Sequence, residues 1–327
     1  LGDRVGLFRG LSEIGGGTSQ QLADSLGLNE RWVREWLQHQ ACVNQIEYEE
    51  ETQRFSISPE AAAVLVDEDS PAYLMGAYHS ALSVFPAAEK LEDAFRSGIG
   101  MTYDEHGSSC ACGMEKMGAY TKKHRLVQEI LPLVPGLVER LSKGIKVADV
   151  GCGGALSTVV MAQAFPSSTF VGYDTSEHAL DLARKNIEEM GVQNVTVANP
   201  SAQPLPSDST LDFVTTFDVV HDTPYPDQMI QDIYGALATG GQWLCEDIKG
   251  LNSFEENLRE HPMAAMLYGF SITICMSSGL STADGAGLGT LGFTEALAEK
   301  MMTNAGFAEF ANLEVDTPLN NYYLATK

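Results

Sequence analysis

Two apolar runs in this chain end in acidic residues, and the first of them turns on glycines. Lys146-Val147-Ala148-Asp149-Val150-Gly151-Cys152-Gly153-Gly154 is followed by Phe170-Val171-Gly172-Tyr173-Asp174-Thr175. In a parallel α/β sheet, strand ends of this kind build a nucleoside site at the carboxyl edge. Gly151 and Gly153 lack a Cβ, so the backbone can turn tightly and approach a ligand. Asp174 stands where a carboxylate accepts hydrogen bonds from two ribose hydroxyls. A dinucleotide site would want a third glycine where Leu156 stands. Asp149, just before the turn, would also repel a pyrophosphate while suiting a cationic amino group. An ordinary strand, turn and helix with glycines for packing is the bland alternative.

Three further strand ends carry candidate chemistry. The third is Asn199-Pro200-Ser201-Ala202, where Ser201 can accept a hydrogen bond. The fourth is Thr216-Phe217-Asp218-Val219-Val220-His221-Asp222, with Phe217 and Asp218 placed to lie against a cofactor. An imidazole near its pKa at neutral pH can take a proton, so His221 is the candidate general base, with Asp222 as its orienter. The alternative for His221 is a capping or surface histidine. The fifth strand ends in Glu246 and Asp247, which either touch an acceptor or form a solvated acidic pair.

The elements that must position these residues alternate. Strands are expected at 145–150, 169–173, 193–198, 211–217 and 242–248, and again at about 308–315 and 320–326. Helices are expected up to Ala164, at 177–190, 226–238 and 294–305. This pattern predicts a Rossmann-like α/β domain over 144–327, with a parallel sheet and an antiparallel last strand at its edge. The stretch 250–291 reads as a pocket-shaping insertion. Its glycines at 285–289 follow no strand and read as a flexible or closely packed loop. Residues 67–143 read as connecting helices, from which Tyr103, Glu115, Met117 and Tyr120 are weak pocket candidates, as are His79, His261 and Tyr268. Residues 1–66 read as helices capped at Thr18 and Asn29, then two short strands, then a helix opened by Pro59. That is a winged-helix layout.

Charge decides between uses of that module. The 327 residues carry a net charge of −24, and residues 1–90 hold six basic against fourteen acidic side chains. Phosphate backbones bind through Lys and Arg, so nucleic acid is opposed as a partner, and so is an anionic membrane. A dimerisation and lid module is the favoured alternative. No apolar run reaches membrane-spanning length. The chain opens on Leu1, which leaves upstream targeting open, and the default expectation is a soluble, cytoplasmic protein. The six cysteines are scattered. Cys110 and Cys112 have no second pair at zinc spacing, so they read as reduced loop thiols and no metal is expected.

These motifs resemble known families. Asp149-Val150-Gly151-Cys152-Gly153 resembles motif I of class I S-adenosylmethionine (SAM)-dependent methyltransferases. His221-Asp222 resembles the His-Asp after the fourth strand of plant-type and acetylserotonin-type O-methyltransferases, whose histidine is the general base and whose N-terminal winged helix dimerises. Thr223-Pro224 departs from that family, which has a tryptophan there, and Ser201 stands where an acid is usual. Thr18, the run Leu28 to Leu37, Ile130-Leu131-Pro132-Leu133-Val134-Pro135-Gly136-Leu137 and Gly285-Ala286-Gly287-Leu288-Gly289 complete a nearly end-to-end resemblance to winged-helix SAM-dependent methyltransferases. It implies a homodimer that methylates a small-molecule acceptor at oxygen, nitrogen or sulfur. It assigns cofactor contacts to Asp149, Gly151, Cys152, Gly153, Asp174, Thr175, Ser201, Ala202, Phe217 and Asp218. A SAM-sensing regulator without catalysis and a protein methyltransferase are the alternatives.

Overall fold

The computed structural model describes residues 1–327. They form two compact units, Leu1–His79 with Lys116–Thr121, and Ser80–Glu115 with Lys122–Lys327. No helix is long and apolar enough to cross a membrane.

The first unit is a winged helix. Helices α1 (Leu7–Glu13), α2 (Ser19–Leu26), α3 (Glu30–Cys42) and α4 (Pro59–Leu65) surround a hairpin of β1 (Glu47–Glu49) and β2 (Arg54–Ser56). Local chemistry sets the helix starts. Thr18 and Gln21 form a capping box on α2, Asn29 caps α3, and Ser58 caps α4 with Pro59 in the first turn. Leu11, Leu22, Val33, Leu37 and Phe55 bury the shared face. On α3, Arg31 pairs with Glu35 at 2.6 Å and Arg34 with Glu30 at 3.3 Å. The arginines that would read a DNA groove are therefore already matched by carboxylates one turn away.

The second unit is a three-layer α/β structure. Its strands are β3 (Lys146–Val150), β4 (Thr169–Tyr173), β5 (Val195–Ala198), β6 (Leu211–Phe217), β7 (Leu237–Ile248), β8 (Glu309–Leu313) and β9 (Asn320–Thr326), in the order β5-β4-β3-β6-β7-β9-β8. Period-two alternation splits the core. Ala148, Val214, Trp243 and Tyr323 face one layer, and Val147, Phe213, Leu244 and Tyr322 face the other. Helices α5 (Met75–Ser97), α6 (Ser108–Tyr120), α7 (Leu137–Lys143), α8 (Leu156–Ala164), α9 (Glu177–Met190), α10 (Pro226–Ala236), α11 (Phe254–Glu260), α12 (Ala264–Phe270), α13 (Met276–Gly279) and α14 (Glu295–Ala305) complete the helical inventory. Two π-helical segments, Thr121–Ile130 and Ser271–Cys275, interrupt them.

Two expectations are corrected. The last strand is antiparallel but not at the edge, because β9 pairs with both β7 and β8. Its run Tyr322 to Ala325 is buried, which an edge strand would not allow. Cys110 and Cys112 lie on α6 rather than in a loop, and Cys110 is fully buried. The 285–289 glycines do form a closely packed loop, in which a side chain at Gly287 would press on Leu280.

The buried Asp149 fastens the middle of this unit. It accepts hydrogen bonds from Ser157 Oγ (2.7 Å) and Thr158 Oγ1 (2.6 Å) in the first turn of α8. It also accepts one from Thr215 Oγ1 (2.9 Å) on β6. Asp149→Ala strands three buried hydroxyls over a cavity. We expect it to lower the unfolding free energy by about 3 kcal/mol, read as a fall in the urea midpoint at unchanged m.

Candidate active site

The order of the sheet reverses at β3, with β4 on one side and β6 on the other, and such a switch point opens a crevice at the carboxyl ends. The turn after β3 is tied to β4, since the N–H groups of Gly151 (2.7 Å) and Cys152 (3.0 Å) both donate to the carbonyl of Tyr173. Gly151 has φ +72°, and a side chain there would strike Val219 in the loop after β6. Gly153 has φ +54° and open space where a Cβ would stand. This open space beside Asp174 lets a ligand approach the backbone of the turn.

Asp174 organises this turn. Its Oδ2 accepts from the Gly153 N–H at 2.8 Å and its Oδ1 from the Ser176 N–H at 2.9 Å. A carboxylate has about four lone-pair directions, so capacity remains for ribose hydroxyls. Burial raises its carboxyl above the ordinary range despite these bonds. Thr175, Ser201 and Ala202 are exposed on the neighbouring turns. Cys152 is buried beneath Gly172, its Sγ donating to the carbonyl of Gly153. Asp149 is wholly buried and its partners are hydroxyls of α8 and β6. From the connecting helices, Glu115 accepts from Asn186, which also holds the Gly154 carbonyl at 2.8 Å.

The second half of the site lies at the ends of β6 and β7. Their parallel register brings Phe217 opposite Glu246, and the Asp218 N–H extends it by donating to the Glu246 carbonyl at 2.9 Å. His221 then comes within 2.7 Å of Asp247, Nδ1 to Oδ1, and both side chains are buried. Because the carboxylate only accepts, Nδ1 carries the proton and Nε2 is left to act. The carboxylate on Nδ1 is thus Asp247 rather than Asp222, the expected one, because the parallel pairing of β6 and β7 brings Asp247 to that side of the ring. Burial pulls the His221 pKa down, but the charge and hydrogen bond of Asp247, together with Cys275, hold it well above its ordinary value. Burial raises Asp222 to about 7, against the opposing pull of His221. The fifth strand's acidic pair is not solvated. Glu246 is buried against Lys122 Nζ at 2.7 Å, and that ammonium sits 3.6 Å above the Phe217 ring.

Sequence reasoning missed Lys122, Asn320 and Cys275. Lys122 stands at the start of the first π-helical segment and Cys275 at the end of the second, positions that regular helical periodicity does not reveal. His79 pairs with Asp3, His261 hydrogen-bonds the Lys249 carbonyl, and Tyr268 accepts from Asn257. Two non-glycine residues in the left-handed region, Ala155 (φ 59°) and Asp218 (φ 57°), flank the crevice.

Comparison with known proteins places this geometry. Residues 141–306 match the family model "Methyltransferase domain", and residues 1–67 match "Rv2258c-like winged HTH domain". A demethylmenaquinone methyltransferase of Listeria welshimeri is 34% identical over 110 residues, 33% of this chain and 47% of the relative. The chain thus spans about half the length of the curated relatives it matches. Among solved structures, a candidate O-methyltransferase of Nostoc punctiforme superposes with TM-score 0.72 at 21% identity, over 100% of this chain and 93% of the other. Human N-acetylserotonin methyltransferase in complex with SAM gives 0.69 at 15% identity, over 100% and 92%.

The electrostatics at Asp218 carry a prediction. Burial, then Glu246, raises its carboxyl to about 8, opposed by Lys122, with Asp247 and His221 also facing it and Asn320 Nδ2 donating to it at 2.7 Å. An unfolded aspartate titrates near ~3.9. Between these values the folded chain holds a proton that the unfolded chain releases, so stability falls as pH rises from about 4 to about 8. Asp218→Asn removes that slope. Its melting temperature should gain on the parent's steadily between about pH 4.5 and about pH 8.5, in thermal scans without ligand.

Proposed function

The chain belongs to the methyltransferase-domain family, and from that premise we propose that it transfers the methyl group of SAM to a small-molecule acceptor with His221 as general base. The observation that carries this reading is the Asp247–His221 hydrogen bond, two residues from the Val219 that packs on Gly151. It supports a reading in which an oriented imidazole works near the glycine turn.

When bound, SAM supplies an electrophilic methyl on a sulfonium, whose positive charge also draws the imidazole toward its neutral form. The residues supply placement and proton transfer. Asp174 accepts the ribose hydroxyls, Gly151 and Gly153 admit the ligand to the backbone, and Thr175, Ser201 and Ala202 border the adenine. Cys152, Phe217 and Asp218 bound the methionine end, with Asp149 holding the turn behind it. His221 Nε2 takes the proton of the acceptor heteroatom as its lone pair attacks, and Asp247 stabilises the imidazolium formed. The insertion 250–291 shapes the acceptor pocket. The winged-helix domain, residues 1–66, pairs two subunits in this reading, and the exposed Trp32 (81%) and Val43 (48%) support it by offering apolar surface.

The test is transfer of labelled methyl from SAM to panels of phenols, amines and thiols. His221→Gln should lower kcat by about 10²–10⁴-fold while leaving SAM affinity within about twofold. Asp174→Ala should weaken SAM binding at least about tenfold in calorimetry, the value of a lost charge-assisted hydrogen bond. Near-parental turnover of His221→Gln would show that no base is needed, as for an acceptor already present as a thiolate.

A further inference from the structure

We infer that His221, Asp222 and Cys275 form a binding site for a zinc-class divalent cation. Their ligand atoms all lie within 4.8 Å of one another. Bonds of about 2.0–2.3 Å to a tetrahedral ion would set these atoms about 3.5 Å apart, so binding draws the cluster in by about 1 Å. One imidazole, one carboxylate and one thiolate make a borderline-soft donor set that suits Zn(II) over Mg(II) or Ca(II), which favour oxygen. Three protein ligands leave a fourth position open.

A second feature supports the site independently of the ligand set. Histidines that bind zinc commonly donate their other ring N–H to a carboxylate, which fixes the ring and its tautomer. His221 does this through Nδ1 to the fully buried Asp247, which leaves Nε2 as the ring nitrogen able to ligate. Cys275 closes the second π-helical segment, a distortion of the kind that re-aims side chains at functional sites. Asp222 is less buried than the other two ligands.

Binding releases the Cys275 thiol proton and any proton on His221 Nε2, and the cation takes the ring lone pair. The site rests on the ligand geometry and on the Asp247 contact to the ring. Its consequence, that zinc reversibly blocks proton removal from the acceptor, rests on the reading of His221 as general base.

The experiment uses the intact chain, stripped with chelator and titrated with Co(II), without SAM or acceptor. A thiolate-to-cobalt charge-transfer band should appear at one equivalent and be displaced by one equivalent of Zn(II). Cys275→Ser should abolish the band, whereas Cys110→Ser should keep it. Asp247→Asn should keep the band and weaken Zn(II) binding by about 10–100-fold. Circular dichroism confirms that each variant is folded. A parental chain that shows no band, or a band that survives Cys275→Ser, would overturn the site. Turnover of His221→Gln is measured separately in excess chelator, so failure of the metal site and failure of the base assignment are read from different experiments.

Discussion

The carboxyl edge of the sheet gathers five carboxylates, and the arrangement of the second unit follows from the need to keep them there. Asp149, Asp174, Asp218, Glu246 and Asp247 end β3, β4, β6 and β7, all buried or half buried. Acidic groups removed from water together are costly unless each is matched or, like Asp218 with its carboxyl raised to about 8, keeps its proton. Each therefore has a dedicated partner. Asp149 has three hydroxyls, Asp174 two backbone N–H groups, Asp218 an amide, Glu246 an ammonium and Asp247 an imidazole. The partners come from α8, the glycine turn, β9, a π-helical segment and the loop after β6. Satisfying the edge thereby fixes where those elements sit.

The same requirement makes the edge suited to a cationic ligand. A sulfonium and an α-amino group both bring positive charge into a region whose net sign is negative. In the proposed reading the glycine turn provides the space and Asp174 the polar contact, over the apolar layers that underlie the strand ends. The basic groups Lys122 and His221 are each paired with a carboxylate, which offsets their charge toward an incoming cation.

Much of this was legible in the sequence. Strands 169–173, 211–217 and 320–326 and the helix 177–190 fall at the expected residues because apolar alternation and capping are local signals. The glycine turn and the loop bearing His221 were legible for the same reason. What was hidden depends on pairing through space. Asp247 finds His221 because β6 and β7 lie parallel in a register that opposes Phe217 to Glu246, and no spacing within the chain encodes that register. The hydroxyls that hold Asp149 were hidden because Ser157 and Thr158 read as ordinary helix residues. Cys275 was hidden because a π-helical segment shifts the face on which its side chain emerges. Placing β9 inside the sheet likewise required knowing that β8 would pair outside it.

The left-handed conformations of Ala155 and Asp218 have a bearing on how the chain answers to its ligands. Each holds an L-residue where about 1 kcal/mol is lost to crowding of Cβ, and both flank the crevice. Together with the crowded carboxylates, they make the crevice the least comfortable part of an otherwise well-packed unit. A ligand that neutralises the edge and braces the two turns stabilises the whole unit by mass action, about 2.7 kcal/mol at a hundred times its dissociation constant. The melting transition of the chain is then itself an occupancy gauge. It would sort acceptor classes by how far they raise it in the presence of the donor product, before any turnover assay for a particular acceptor exists.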